Sequence, residues 1–341
     1  MPKKFRCTVL RVVLLGLFAV CLSGCQQSQK KDEAVSLYVD AISFSQANDP
    51  NQAIARLQQA VKLNPDFALA YSMMGNIYLQ QNKFAESAEA YKKATQINPW
   101  SFEDFRQLGT AYWLMNDYNS AAEVYAAACK LDPQSTEVWC GAAGSYYKLG
   151  DYESALQFGQ SAKELDPADS EVEKLLGDIY TARKDTEMAV EAYERAMKLD
   201  SSNPKTMFAL ASAYLQEEKF EAAKELLDMV VSIEPQNAEA WRYLGFVCLK
   251  MREVDMATMK YLKAVQLSPD DWRAHKGIGV AYMMKYRILQ SFDNPEAETY
   301  RKQAITHWSK SLDLNPSQDN LLKLYRKYSS ASGEISPKGE Q

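Results

Sequence analysis

Glycine and proline are scarce in this 341-residue chain, at 14 and 12, and histidine is nearly absent, at two. No stretch alternates apolar and polar residues for long enough to read as a strand. There is no G-x-S-x-G, no glycine-rich phosphate loop and no H-E-x-x-H. The sequence signatures of nucleophilic, phosphoryl-transfer and zinc-hydrolase chemistry are therefore missing. His275 and His307 are the only histidines, and two without a cysteine or carboxylate at ligand spacing make a poor metal site. No basic tract is present and the net charge is −5, which argues against a nucleic-acid partner. No catalytic residue, metal or cofactor is expected.

What is plentiful is alanine, leucine, lysine, glutamate and glutamine, a mixture that favours helix. The first 25 residues stand apart. Lys3, Lys4, Arg6 and Arg11 make a basic start, and Val12 to Val20 is apolar but too short to span a bilayer. Leu22-Ser-Gly-Cys25 follows and resembles the lipobox of bacterial lipoprotein signal peptides. The resemblance implies removal of residues 1–24 and acylation of Cys25, with three chains giving a stable anchor. A plain cleaved signal and an uncleaved anchor are the alternatives. With Gln26 rather than Asp after the cysteine, the resemblance leans towards the outer membrane, facing the periplasm. Removal would take four positive charges, carrying the net charge from −5 to −9. Residues 25–33 read as a polar, lipid-anchored tether. Of the remaining cysteines, Cys129 and Cys140 could form a disulfide in an export compartment, or stay as small packed side chains with Cys248.

Proline stands at 65, 99, 133, 167, 235 and 269, at steps of 34 with one vacancy at Ser201. Aligned on it, other positions fall into columns: Gly75, Gly109, Gly177, Gly245 and Gly279; Tyr78, Tyr112, Tyr180 and Tyr282; Tyr91, Tyr125, Tyr193 and Tyr261; and Ala60, Ala94, Ala128, Ala162, Ala196 and Ala264. Trp241-Arg-Tyr-Leu-Gly-Phe-Val-Cys248 shows the first half of the unit most clearly. This pattern resembles the tetratricopeptide repeat, W-x2-L-G-x2-Y…A-x3-F…P, over residues 34 to about 318. The resemblance implies an all-α solenoid, a right-handed superhelix of about eight helix–turn–helix units, in which small residues let the paired helices approach. Each unit buries its apolar face only by stacking on the next.

Some units depart from the pattern. The fourth has Gly159 where an aromatic is expected, with Phe158 beside it as a substitute. The fifth has Glu173 at its first aromatic column. The eighth is 13 residues longer, so both its helices should be extended by about six, the second starting with Asn294 as cap and Pro295 at its first position. Residues 319–330 read as an amphipathic capping helix and 331–341 as a disordered tail.

The repeats occupy nearly every residue after 34, which leaves surface as the functional element. By the resemblance, the first helix of each unit lines an inner groove that binds a protein or peptide. Matching positions in the first half are Tyr38, Asn76, Arg106, Trp113 and Tyr147. In the second half they are Lys174, Phe208, Arg242, Phe246, Lys276 and Met283. Their aromatic and arginine content suits an interaction face. The implied role is a membrane-anchored scaffold of the cell envelope with one or more envelope proteins or peptides as partners. It is similar to lipoproteins of pilus assembly, exopolysaccharide export and cell-wall hydrolase control. Direct contact with a polymer, through Trp113, Tyr147 and Phe208, is the alternative.

Overall fold

The computed structural model describes residues 27–329, and every regular element among them is a helix. The signal segment, Cys25 and the tail lie outside the described residues. Two compact units divide the chain, the first ending at Pro167 and the second beginning at Ala168. In the first, the helices are α1 (27–46), α2 (Pro50–Leu63), α3 (Ala68–Gln80), α4 (Phe84–Ile97), α5 (Phe102–Leu114), α6 (Tyr118–Leu131), α7 (Thr136–Leu149) and α8 (Tyr152–Leu165). In the second they are α9 (Ser170–Arg183), α10 (Thr186–Leu199), α11 (Pro204–Gln216), α12 (Phe220–Ile233), α13 (Ala238–Lys250), α14 (Val254–Leu267), α15 (Trp272–Gln290), α16 (Ala297–Leu314) and α17 (Asp319–Ser329). Successive helices form hairpins, α1 with α2 through α15 with α16, and α17 closes the series. Residues 27–33, expected as a tether, are instead the first turns of α1.

The endings follow from the repeated proline. Asn98 and Asp132, each followed by proline, adopt ψ of 87° and 93°. Proline disfavours the helical region in the residue before it, and the chain leaves the helix there. Starts are capped by side chains: Asp117, Asp151, Asp169, Asn203, Asn237 and Asp271 accept from amides of the first turn. Each such cap contributes about 1 kcal/mol. Inside the hairpins one residue per turn has positive φ, also at steps of 34: Asn48, Asn82, Asn116, Gly150, Lys184, Glu218 and Arg252.

Size matching holds each hairpin together. A Cβ on Gly75, Gly109 or Gly245 would stand 2.7, 2.7 or 2.6 Å from the ring of Tyr91, Tyr125 or Tyr261. Gly177 faces Tyr193 and Gly279 faces Trp308 in the same way. Where the first position is alanine the second shrinks: Ala143 stands with Gly159, Ala211 with Leu227 and Ala41 with Leu57. Gly159 is thus answered by Ala143 rather than by Phe158, whose ring lies elsewhere, 5.3 Å from Tyr146 and 5.4 Å from Trp139. Glu173 is only 2% exposed, and both its carboxylate oxygens accept from Arg195 Nε at 3.0 Å. Arginine thereby makes a carboxylate tolerable at a position that is aromatic in Tyr71, Phe105, Trp139 and Trp241.

The eighth hairpin is long, as its sequence implies: α15 has 19 residues and α16 has 18, against 13 and 14 in α13 and α14. Its second helix starts later than expected. Asn294 Oδ1 accepts from the Glu296 amide within a turn, and helix begins at Ala297 after Glu296. A Pro295 turn therefore precedes the helix instead of opening it. No helix among the described residues is long and apolar enough to cross a membrane. Cys129, Cys140 and Cys248 form no disulfide. Burial pushes the Cys129 thiol up to about 12 and that of Cys248 to about 11, so both are unreactive packing groups at neutral pH.

Candidate functional site: the first-helix face

Within each unit the first helices of neighbouring hairpins approach one another: α3 and α5, α5 and α7, α9 and α11, α13 and α15. The second helices do not approach comparably. The first helices therefore form the inner side of each stack, where the residues expected to bind a partner stand.

In the first unit the polar members of that face are already engaged. Asn76 Oδ1 accepts from the buried Tyr91 hydroxyl at 2.6 Å. Thr110 does the same service for Tyr125 at 3.1 Å. Arg106 donates to Glu103 within α5 and to Glu137 on α7, both at 2.6 Å. The Arg106 guanidinium, through its hydrogen bond, holds the Glu103 carboxyl below the usual range. These contacts satisfy buried hydroxyls and tie one hairpin to the next. The aromatic members carry the open surface. Trp113 rests its six-membered ring against Gly144 of α7 and meets Tyr118 edge-on at 5.1 Å. Tyr147 pairs with Tyr152 at 6.1 Å, at the start of the second helix of its own hairpin. Met115 and Leu149, at equivalent turns, are exposed beside them. Tyr38 packs on Phe67 at 5.2 Å and is half-buried.

In the second unit Lys174 pairs with Asp178 at 2.7 Å, and Asp178 also accepts from the Tyr193 hydroxyl at 2.7 Å. Arg242 bridges Glu239 at 2.7 Å and Asp271 at 3.0 Å, lying over the Tyr243 ring. Phe208 meets Tyr243 edge-on at 5.1 Å, joining α11 to α13. Phe246 is 40% exposed, with Lys250 5.5 Å from its ring centre, and Lys276 is exposed without an ion pair. Met283 is a correction. It is 6% exposed and packs with Trp308, Leu312 and Leu321, so it belongs to the core. The six extra residues of α15 and the docking of α17 bury a position that is half-exposed at the equivalent Leu249. Tyr118, Tyr152 and Tyr243 escape a reading restricted to the lining columns. The first two sit on second helices, five residues past the positions they pair with.

The two histidines stand face to face away from these residues. Nδ1 of each lies 3.0 Å from the other, and His275 Nε2 lies 3.0 Å from the Pro269 carbonyl. A carbonyl only accepts, so His275 carries its proton on Nε2 and accepts at Nδ1 from His307. Trp139 and Trp241, at the same repeat position, donate to the Pro133 and Pro235 carbonyls likewise. Among the described residues no group of three or more His, Cys, Asp or Glu could hold a metal. Burial, and then His275, push His307 down to about 4 from 6.5. A histidine with a depressed folded value binds its proton more readily when unfolded. Its contribution is complete above pH 6.5 and is lost as pH falls towards 4, amounting to about 2 kcal/mol once partial exposure is discounted. Urea midpoints should therefore fall more between pH 7 and pH 4.5 in the parent protein than in His307→Gln; parallel declines would refute this.

Residues 38–99 and 112–179 each match a tetratricopeptide repeat family. Residues 164–273 match the tetratricopeptide domain of cytochrome c-type biogenesis protein H. No curated relative matches the sequence. Among solved structures, the APC/C hetero-tetramer Cut9-Hcn1 aligns with a TM-score of 0.56 at 17% identity, over 82% of this chain and 52% of that one. This chain thus spans about half of that relative. PilF of Pseudomonas aeruginosa aligns at 0.53 and 23% identity, over 61% of this chain and 94% of its own. The C-terminal part of a tetratricopeptide protein from Cytophaga hutchinsonii aligns at 0.57 and 14%, over 73% and 97%. At such identities the likeness is one of fold. From the matched residues, the size-paired helices and these alignments together, the chain carries tetratricopeptide repeats and folds as a tetratricopeptide array.

Proposed function

We propose that this chain is a lipid-anchored scaffold of the bacterial cell envelope that holds another protein, or a peptide segment of one, against its first-helix face. The observation that carries the reading is the division of labour on that face. Asn76, Arg106, Lys174 and Arg242 are satisfied internally, whereas Trp113, Tyr147 and Phe246 keep apolar surface open to a partner. Aromatic rings fixed on rigid helices give contact area at small entropic cost, as binding anchors require. The anchor rests on the lipobox resemblance at Leu22 to Cys25, which would place the array beside a membrane, facing the periplasm. Its work is then to concentrate a partner near an envelope machine.

One experiment tests both halves. The N-terminal peptide of the mature protein should carry acyl mass on Cys25 and the protein should sediment with membranes; Cys25→Ser should lose both. Trp113→Ala with Phe246→Ala should weaken partner capture at least tenfold with helicity intact. Unaltered sedimentation of Cys25→Ser would sink the anchor, and unaltered capture would move the binding face.

A further inference from the structure

Each hairpin brings three side chains together on the side of its first helix that faces the second helix, away from the inner face. In the fourth hairpin these are Trp139, Tyr146 and Phe158, with the Phe158 ring filling the space between helices at 5.3 and 5.4 Å from the other two. The other hairpins fill the equivalent space differently, but always from within the chain. Arg56 lies over Phe44, Val124 and Tyr112 pack against one buried cluster, and Arg195 reaches Glu173. Leu226 joins Met207 and Tyr214, Lys260 covers Trp241, and His307 bonds to His275.

The second hairpin is the exception. Tyr71 and Tyr78 are present, but the filling position is Ala90, and Lys93, the counterpart of Arg195, is exposed without an ion pair. A cleft of 470 Å³ results, lined by Tyr71, Met74, Tyr78 and Ala90, with Glu86, Glu89 and Lys93 at its edge. That volume lies in the range of sites that hold small ligands, about 300–1,000 Å³. Its walls are mainly aromatic and aliphatic, and its edge carries two carboxylates against one ammonium.

We propose that this cleft is a docking pocket for an aromatic side chain of a partner protein, flanked there by lysine or arginine. The occupant's shape is given by the chain itself: Phe158 shows what fits between two aromatic residues at this position. Its surroundings are given by Glu86 and Glu89, which favour a cationic neighbour and penalise an acidic one. A desolvated aromatic anchor in such a pocket is the kind of contact that dominates an interface. The pocket is distinct from the first-helix face, so the two stand or fall independently.

The test uses the full-length protein and a fluorescent, acetylated and amidated Lys-Lys-Phe-Lys-Lys peptide, read by anisotropy. Saturable binding is expected. Exchanging the peptide's Phe for Ala, or its Lys residues for Glu, should weaken it at least tenfold. Ala90→Phe, which closes the pocket as Phe158 closes its own, should also weaken it at least tenfold; Ala90→Val should fall between. Met259→Ala, at an exposed position on α14, should leave it unchanged. Should Ala90→Phe fail to fold, Glu86→Gln with Glu89→Gln, both at exposed positions, should still weaken the peptide several-fold. The proposal is overturned by absence of saturable binding, by equal binding of the Phe and Ala peptides, by a folded Ala90→Phe that binds as the parent does, or by Gln variants that bind unchanged. It is equally overturned if the parent self-associates and Ala90→Phe abolishes that, because the occupant is then a second copy.

Discussion

Gly245→Ala is expected to destabilise the protein by about 2–4 kcal/mol, against the usual rule for a helix interior, where alanine gains about 1 kcal/mol over glycine. The reason is the ring behind it. A Cβ at 245 would lie 2.6 Å from Tyr261, which is almost fully buried and is also pressed by Gly277 on the following helix. The ring has nowhere to move. Tyr261→Leu alone should also destabilise, by leaving a cavity and losing ring contacts. The double variant Gly245→Ala, Tyr261→Leu should recover most of the loss, because it recreates the pair Ala211 and Leu227 that the chain already uses one repeat earlier. A double-mutant cycle by urea unfolding should give a favourable coupling above about 1 kcal/mol. Additive losses would show that size matching within the hairpin is not what positions these helices.

Trp308→Ala should have an effect at least as large, about 3–5 kcal/mol. The indole is 1% exposed, stands against Gly279, and forms one cluster with Met283, Ile305, Leu312, Leu321 and Tyr325. Its Nε1 has no acceptor among the described residues, so truncation also removes an unsatisfied donor, which trims the loss. The second consequence is local. α17 is held by Leu321 and Tyr325 on this cluster, by Arg301 donating to the Tyr328 carbonyl, and by Arg287 donating to the Tyr328 hydroxyl at 2.9 Å. Without the indole the apolar half of that hold weakens. Amide exchange in α17 should accelerate more than in α13. Uniform acceleration across both would mean that α17 is not anchored through Trp308.

Much of the fold is legible in the sequence because a fixed period constrains many residues at once. Proline at steps of 34 marks the ends of the second helices, and the glycine and tyrosine columns mark which side chains meet. The exchange of sizes at Ala143 and Gly159 is harder to read. It requires pairing two columns that lie 16 residues apart, and the adjacent Phe158 offers a false substitute. The turn column is plain at Asn48, Asn82, Asn116 and Gly150, residues that adopt positive φ readily, but hidden at Lys184, Glu218 and Arg252, where the rest of the hairpin imposes it. The site is legible only in outline. A lining position says which way a residue stands, not whether a neighbour already claims it. Asn76, Arg106, Lys174 and Arg242 are claimed by partners 3, 4, 15, 29 or 31 positions away, and Met283 is claimed by a helix that follows the repeats. The cleft over Ala90 is legible only by comparison of one hairpin with the others, since nothing about an alanine signals that a phenylalanine's space lies empty beside it.

The most direct measurement is photocrosslinking in intact cells with a photoreactive amino acid placed in turn at 113, 246 and 259. Met259 is an exposed control on α14, a second helix. The expected result is a discrete adduct with one partner protein from positions 113 and 246, and none from 259. No adduct from 113 or 246, with a partner protein captured at 259, would contradict a binding role for the first-helix face.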